Sequence, residues 1–516
     1  MYHIKVLASL DDRIDAEFYN PEALRTIQRM EDVGEVVTLG SLIQEGYRVV
    51  YHGTDSINGL KQDQLLPFLS PTQIDKDGAI SFEIADQLPK YYKDEYPKGL
   101  AKEGELLVEV KGNVSKVAVV PSVFPKNLMV SGSLYKASIN QNKADTHYVL
   151  AFLKSASGQV LKDRLTSNTI INYIAKDALY SIPVFKIAMP AQKYIGEKVR
   201  QAERLRSLVK QLDCELNDLV LSNALEEANR TAIQSFNRVD VEDMFPRLDP
   251  KYYGNRSLSV LHAAASSSHS LDSLKKSINN GFEERDFVDS GIDYITVSEV
   301  SSGRIELSTA PKISELTDIP DKAYVNERCV LVVRTGSIGT AVKVDVRDKN
   351  AVISSHLIKL EFDTEELAAA VAAFLNSASG KILQRKISYG AVQPQIGQDE
   401  LLALPIPCFV LDNADSILAL TQAKENAIRC SRWLTQSAKL FVEDLIEGQI
   451  TELQLVSAQQ VLDASDESLD RTLLERMTAE GIDGEGEPLF DDIDQLYDLL
   501  EQAKQALDAD DTMVEA

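Results

Sequence analysis

The sequence predicts an α+β chain: two copies of one mixed helix-and-strand module, each followed by a long helix. Three observations carry this. The decapeptide Phe152-Leu-Lys-Ser-Ala-Ser-Gly-Gln-Val-Leu161 recurs as Phe374-Leu-Asn-Ser-Ala-Ser-Gly-Lys-Ile-Leu383, with seven of ten positions identical. The shared register runs on through Ile174/Ile396, Leu179/Leu401 and Pro183/Pro405, so this is an internal duplication rather than a chance run of small residues. Apolar residues then recur every three or four positions after each copy, the stripe of a helix packed along another helix.

Taken in order, the elements repeat. Arg13-Ile-Asp-Ala-Glu-Phe-Tyr19 matches Arg247-Leu-Asp-Pro-Lys-Tyr-Tyr253. Pro67–Ile74 matches Asp293–Val300, each followed by a glycine turn at Gly78 or Gly303. Glu105–Gly112 and Cys329–Gly336 are apolar, strand-like runs ending at a glycine. Val117–Val120 and Ala341–Val344 supply a further strand each, and Ser131–Ser133 parallels Ser354–His356. A helix expected to end in Ser-Ala-Ser-Gly and a last strand entered at Ile-Pro complete each module. The first long helix carries Ile195, Val199, Ala202, Leu205, Leu208, Leu212, Leu216 and Leu219. The second carries Ile417, Leu420, Ala427, Leu434, Ala438, Phe441 and Leu445, with Lys424 and Ser431 interrupting the seam. Two such stripes most simply pair with each other. The expected organisation is a first module at 1–190, a helix at 191–235, a second module at 236–411, a helix at 412–470 and an acidic tail at 471–516. Within that tail, 481–488 is expected to be a linker and 491–507 a short acidic amphipathic helix, either solvated or docking a partner.

Composition bounds the function. With 44% hydrophobic residues the chain is globular, and no apolar run is long enough to span a bilayer. Met1 leads into no signal-peptide core, and Cys214, Cys329, Cys408 and Cys430 show no metal spacing; they read as reduced residues of a cytoplasmic protein. A net charge of -25 opposes a nucleic-acid partner, yet residues 451–516 hold 19 acidic and 3 basic residues, leaving -9 for the rest. The acidity is largely a tail.

Catalytic signatures are sparse: no phosphate-binding P-loop, no G-x-G-x-x-G and no H-E-x-x-H. Gly336-Ser-Ile-Gly339 lacks the lysine of a phosphate loop and reads as a turn between strands. Asp94 with Glu109-Val-Lys111 has the D…E-x-K layout of metal-dependent nucleases, but the second copy has Val333 and Thr335 there. Cations do recur at equivalent places. Lys162 and Arg164 follow the duplicated decapeptide in one copy, Arg385 and Lys386 in the other, and Lys111 and Lys116 correspond to the turn carrying Arg334 and Lys343. The first long helix adds Lys198, Arg200, Arg204, Arg206 and Lys210. Cations on positioned elements suit phosphate contacts, and the loop 387–396 offers Tyr389, Gln393 and Gln395 to base edges.

Two divergent modules each followed by a long helix, with the words at 13–19, 330–339 and Gly390…Gln393…Ile396…Leu404-Pro-Ile-Pro407, resemble the specificity subunit of type I restriction–modification systems over about residues 10–450. The resemblance implies two target-recognition domains, each reading half of a bipartite site in double-stranded DNA, and an antiparallel coiled coil that sets their spacing. It implies a chain with no catalytic, cofactor or metal site of its own. Its partners would be two adenine-N6 methyltransferase subunits using S-adenosylmethionine, and a restriction motor subunit, in a cytoplasmic antiviral defence. The acidic balance, the tail after about 470, and Asn168 where the second copy has Gly390 depart from the family. The competing class is a regulator that does not bind DNA and whose acidic tail imitates it.

Overall fold

The computed structural model describes residues 17–51, 55–166, 172–240, 244, 247, 249–390 and 392–514. Residues 13–16 of the first Arg-to-Tyr word, Leu248 of the second, and Asn168 lie outside them. The chain divides into two compact units, Met1–Leu208 with Asn426–Ala516, and Val209–Glu425.

In the first unit the strands Ile43–Tyr47, Leu134–Ile139, Leu106–Glu109 and Val117–Val119 lie side by side in that order, all antiparallel. Leu106, Leu107 and Val108 are apolar without alternation because both faces of this sheet are covered. A second sheet orders Asp86–Pro89, Leu65–Leu69 and Met129–Val130, the last pair parallel. The second unit repeats the plan: Ser277–Asn280, Leu357–Glu361, Cys329–Val333 and Ala341–Lys343 form its main sheet in the same order. Its second sheet orders Phe287–Val288, Lys312–Ile313, Ile292–Ile295 and Val352–Ile353, again ending in a parallel pair. Even an uncommon detail recurs. Lys136 and Lys359, at matching sheet positions and both 4% exposed, each reach a backbone carbonyl, Leu100 O and Tyr324 O respectively. Burying an ammonium is costly unless it is hydrogen-bonded, so each lysine ties one loop to its sheet.

The duplicated decapeptide is a junction between two helices, not the end of one. Thr146–Lys154 and Glu365–Asn376 stop at Ser155 and Ser377, whose hydroxyls accept the backbone N–H of Gly158 (3.2 Å) and Gly380 (3.1 Å). Those serines cap the next helices, Ala156–Asp163 and Ala378–Ile387. A Cβ at Gly158 or Gly380 would land on the carbonyl oxygen of Phe152 or Phe374, so only glycine allows this tight corner. Identity is strongest here because cap and glycine are both required by one local geometry.

The long helices are Met189–Val220 and Ala414–Glu447. Within the first unit the Tyr194 and Phe441 rings lie 5.5 Å apart, and Arg206 donates to Thr435 Oγ1 at 2.9 Å. Within the second unit Lys424 pairs with Asp213 at 2.6 Å, and Val220 and Ile417 share one apolar cluster. Numbers rise along one helix as they fall along the other, so the pairing is antiparallel in each unit. Lys424, which interrupts the apolar stripe, does so to meet Asp213.

The tail is neither a linker nor a solvated appendage. Ser468–Glu475 is helical, Met477–Thr478 pairs with Gly481–Ile482 inside the expected linker, and Ile493–Val514 forms the last helix. Trp433 of the second long helix meets the Phe490 ring edge-on at 5.6 Å. Asp470, fully buried, accepts from Lys198 Nζ at 2.6 Å on both oxygens, from Tyr194 at 2.7 Å and from Tyr497 at 2.6 Å. Among the described residues no helix is long and apolar enough to cross a membrane.

Candidate nucleic-acid interface

In the second unit three segments meet at one end of the main sheet. Arg334 N donates to His356 O (2.9 Å), Arg334 O accepts from Ile396 N (2.9 Å), and Gly336 N donates to Pro394 O (3.0 Å). The loop after the helix closes on itself through paired bonds between Tyr389 and Gln395, 2.9 and 2.8 Å, around Gly390 at φ +94°. Its start is clamped. Arg247 donates to Ile387 O (2.7 Å) and Ser388 O (3.1 Å) while its guanidinium forks onto Asp249. That fork holds the Asp249 carboxyl below the usual carboxylate range. Tyr253 donates to Arg247 O at 2.6 Å, which gives the Arg-to-Tyr word its physical purpose.

Tyr389, Val392 and Gln393 are exposed, while Gln395 is half-buried with its backbone paired to Tyr389. Around the tip, Arg385 is exposed, Arg334 is half-buried with one guanidinium nitrogen on Ser355 O (3.3 Å), and exposed Lys381 flanks Gly339. Lys381 escaped sequence reasoning because its counterpart in the first copy is Gln159.

Several expected phosphate contacts are corrected by burial. Lys162 is fully buried, bonded to Gln159 at 3.1 Å, and desolvation lowers its pKa to about 8. Lys386, 2% exposed, lies over the Tyr252 ring at 3.1 Å, and burial likewise lowers its pKa to about 8. Arg164, its counterpart, lies over Phe18 at 4.3 Å. The repeated cation is thus a duplicated cation–π contact inside each module, not a pair of phosphate ligands. Lys343 is also withdrawn, paired with Glu365 at 3.1 Å. Lys111 is exposed and Lys116 half-exposed on the turn after the strand. On the first long helix, Lys198 meets Asp470, Arg200 meets Asp145 and Glu197, and Arg204 meets Glu197. Lys198 and Arg200 tie the helix to Asp470 and Asp145, while Arg204 pairs within the helix.

The nuclease-like triplet has a structural explanation. The buried Glu109 carboxylate accepts the backbone N–H groups of Asn113, Ser115 and Lys116 at 3.0 to 3.2 Å, capping the turn. Among the described residues no group of three or more His, Cys, Asp and Glu is arranged to hold a metal ion.

The first unit has a feature that the sequence did not flag. Strand Lys111–Gly112 pairs with Asn172–Tyr173, and beside it a cavity of about 240 Å³ is lined by Gly46, Tyr47, Arg48, Tyr135, Tyr173 and Lys176, among others. Arg48 donates to Gly132 O (2.6 Å) and to the Tyr173 hydroxyl (3.1 Å). Arg48 and Lys176 stand 128 positions apart outside every duplicated word, so only the fold brings them together.

No family model matches the chain, and no curated protein does. Solved structures do. The S subunit of a type I restriction–modification system from M. genitalium shares 14% identity, covering 81% of this chain and 96% of its own, at a TM-score of 0.41. The HsdS subunit from Thermoanaerobacter tengcongensis shares 13%, covering 81% and 97%, at 0.27. A chain from a structure of type I restriction–modification complex assembly and conformational transition shares 12%, covering 81% and 98%, at 0.29. In structure, the chain is similar to type I restriction–modification S subunits.

Proposed function

We propose that the chain is a sequence-specific DNA-recognition subunit of a type I restriction–modification or related defence complex. One observation carries the reading: the same module is built twice, with the same sheet order, and each copy is joined to a paired long helix. Reading one base pair supplies about 1–3 kcal/mol of discrimination. Two modules held by a helical spacer add their free energies and also measure the distance between half-sites. Each module reads its half-site through the loops at one end of its main sheet. In the second these are Tyr389, Gln393 and Gln395 with Arg334 and Arg385; in the first, Lys111 and Lys116 stand at the matching turn.

On this reading the chain makes and breaks no bonds. Two methyltransferase subunits, binding S-adenosylmethionine themselves, methylate adenine N6, and a motor subunit restricts unmodified DNA. The tail serves the first unit as a folded part, with Arg471 on Asp494 (2.6 Å) and Arg476 on Asp483, which gives a DNA-imitating role less support. The test is a mobility-shift titration of the chain assembled with its methyltransferase subunits, followed by methylation mapping. A bipartite motif that is lost with this chain supports the reading; methylation that persists without it contradicts the reading.

A further inference from the structure

The two modules can be superimposed residue by residue through their strand pairings, and one comparison stands out. Tyr47 pairs with Lys136 as Asn279 pairs with Lys359, so Arg48 corresponds to Asn280 and Gly46 to Ile278. The duplicated register equates Lys176 with Gln398 and Tyr173 with Gln395. In the second module Gln398 donates to Asn280 at 3.0 Å, and the Ile278 side chain packs against the apolar core. In the first, the same positions hold two cations that line one cavity, and glycine replaces isoleucine. A Cβ at Gly46 would meet the Tyr135 and Tyr180 hydroxyls at 2.6 Å, so these two tyrosines, bonded to each other at 3.0 Å, take the space beside the glycine.

Two like charges converging on an open cavity need an anion. Among the described residues neither Arg48 nor Lys176 has an ion pair; Lys176 lies 5.1 Å over the Tyr180 ring. Arg48 is fixed by its bonds to Gly132 and Tyr173, and the rest of its five N–H donors remain for a ligand. Such a preoriented guanidinium suits bidentate contact with phosphate oxygens. We propose that this cavity seats a phosphate of the DNA backbone, held by Arg48 and Lys176 and walled by Tyr47 and Tyr173. The inference rests on the DNA-recognition reading and gives the first module an anchor that the second lacks. A free nucleotide presents the same phosphate chemistry.

The test uses Arg48→Asn with Lys176→Gln, which installs the neutral pair that the second module already accommodates. The full chain, assembled with its methyltransferase subunits, is titrated with duplex DNA over a salt series. Loss of one phosphate contact should weaken binding and flatten the slope of log affinity against log salt by about 1, with the methylated motif unchanged. An unchanged affinity and slope in a folded double variant would overturn the proposal. Lys176→Gln alone, at an exposed position, gives the same readout if the double variant fails to fold. Inorganic phosphate and adenosine monophosphate are titrated in parallel by thermal shift. Stabilisation of the parent but not of the variant, with an unaltered DNA slope, would overturn the DNA source in favour of a free nucleotide. A parent complex that binds no DNA would instead defeat the underlying reading.

Discussion

Asp470→Asn should destabilise the first unit more than any surface change in the tail. Asp470 is fully buried and holds Lys198, Tyr194 and Tyr497 at 2.6 to 2.7 Å. Burial, reinforced by the neighbouring Asp470 charge, keeps both tyrosine hydroxyls protonated far above their ordinary range, so they serve as donors. Asparagine preserves the shape but removes the charge, leaving the Lys198 ammonium buried without a counter-ion and one hydroxyl facing an amide. Removing one partner of a buried pair costs about 3–5 kcal/mol. A unit of roughly 300 residues unfolds with about 2.1 cal/mol/K per residue, so that loss lowers its melting temperature by about 5–8 °C. Differential scanning calorimetry of the full chain reads this directly. A control with Lys198→Met, Asp470→Leu, Tyr194→Phe and Tyr497→Phe removes the charged pair and both hydroxyls, leaving only Gln201 Oε1 without its lysine donor, and should recover much of the loss, because no charge or hydroxyl is then stranded. An Asp470→Asn protein that melts within 1–2 °C of the parent, on the same roughly 2.1 cal/mol/K per residue, would refute this reasoning.

Two further outcomes follow from burial. Asp444 accepts the Ile482 N–H at 3.0 Å, and desolvation raises its pKa to about 6 from 3.8. Between those values the folded chain holds a proton that the unfolded chain has released, so this group's contribution to stability falls as pH rises through the window and levels off above 6. Asp444→Asn keeps the acceptor without the charge, and should melt above the parent at pH 7 but match it near pH 4; equal melting at both would contradict this. Arg385 and Lys386 should separate. Arg385→Ala should flatten the salt dependence of DNA binding by about 1, whereas Lys386→Met should leave it unchanged. A flattened slope for Lys386→Met would place that buried ammonium on DNA after all.

The duplication was legible because its most constrained points are local. A serine cap followed by a glycine that must touch a carbonyl tolerates little change, and the strand runs keep their register beside it. The loop around Gly390 was legible for the same reason, since its turn chemistry is written in adjacent residues. Side-chain fate was not. Whether Arg164 and Lys386 face solvent depends on aromatic rings at Phe18 and Tyr252, more than 100 positions away. The acidic composition after residue 450 likewise hid the fact that Asp470 meets Lys198 across 272 positions. Arg48 and Lys176 form a site only because a strand pairing and a helix start converge, and neither lies in a duplicated word.

The most direct measurement of the central claim is methylation mapping of the assembled complex carrying Tyr389→Ala and Gln393→Ala. Losing a well-made base contact costs about 1–3 kcal/mol of discrimination. Specificity should therefore relax in one half of the bipartite motif while the other half and the spacing stay fixed, with the melting temperature unchanged. Relaxation of both halves together, or an intact motif in a folded variant, would contradict the reading of two independent modules.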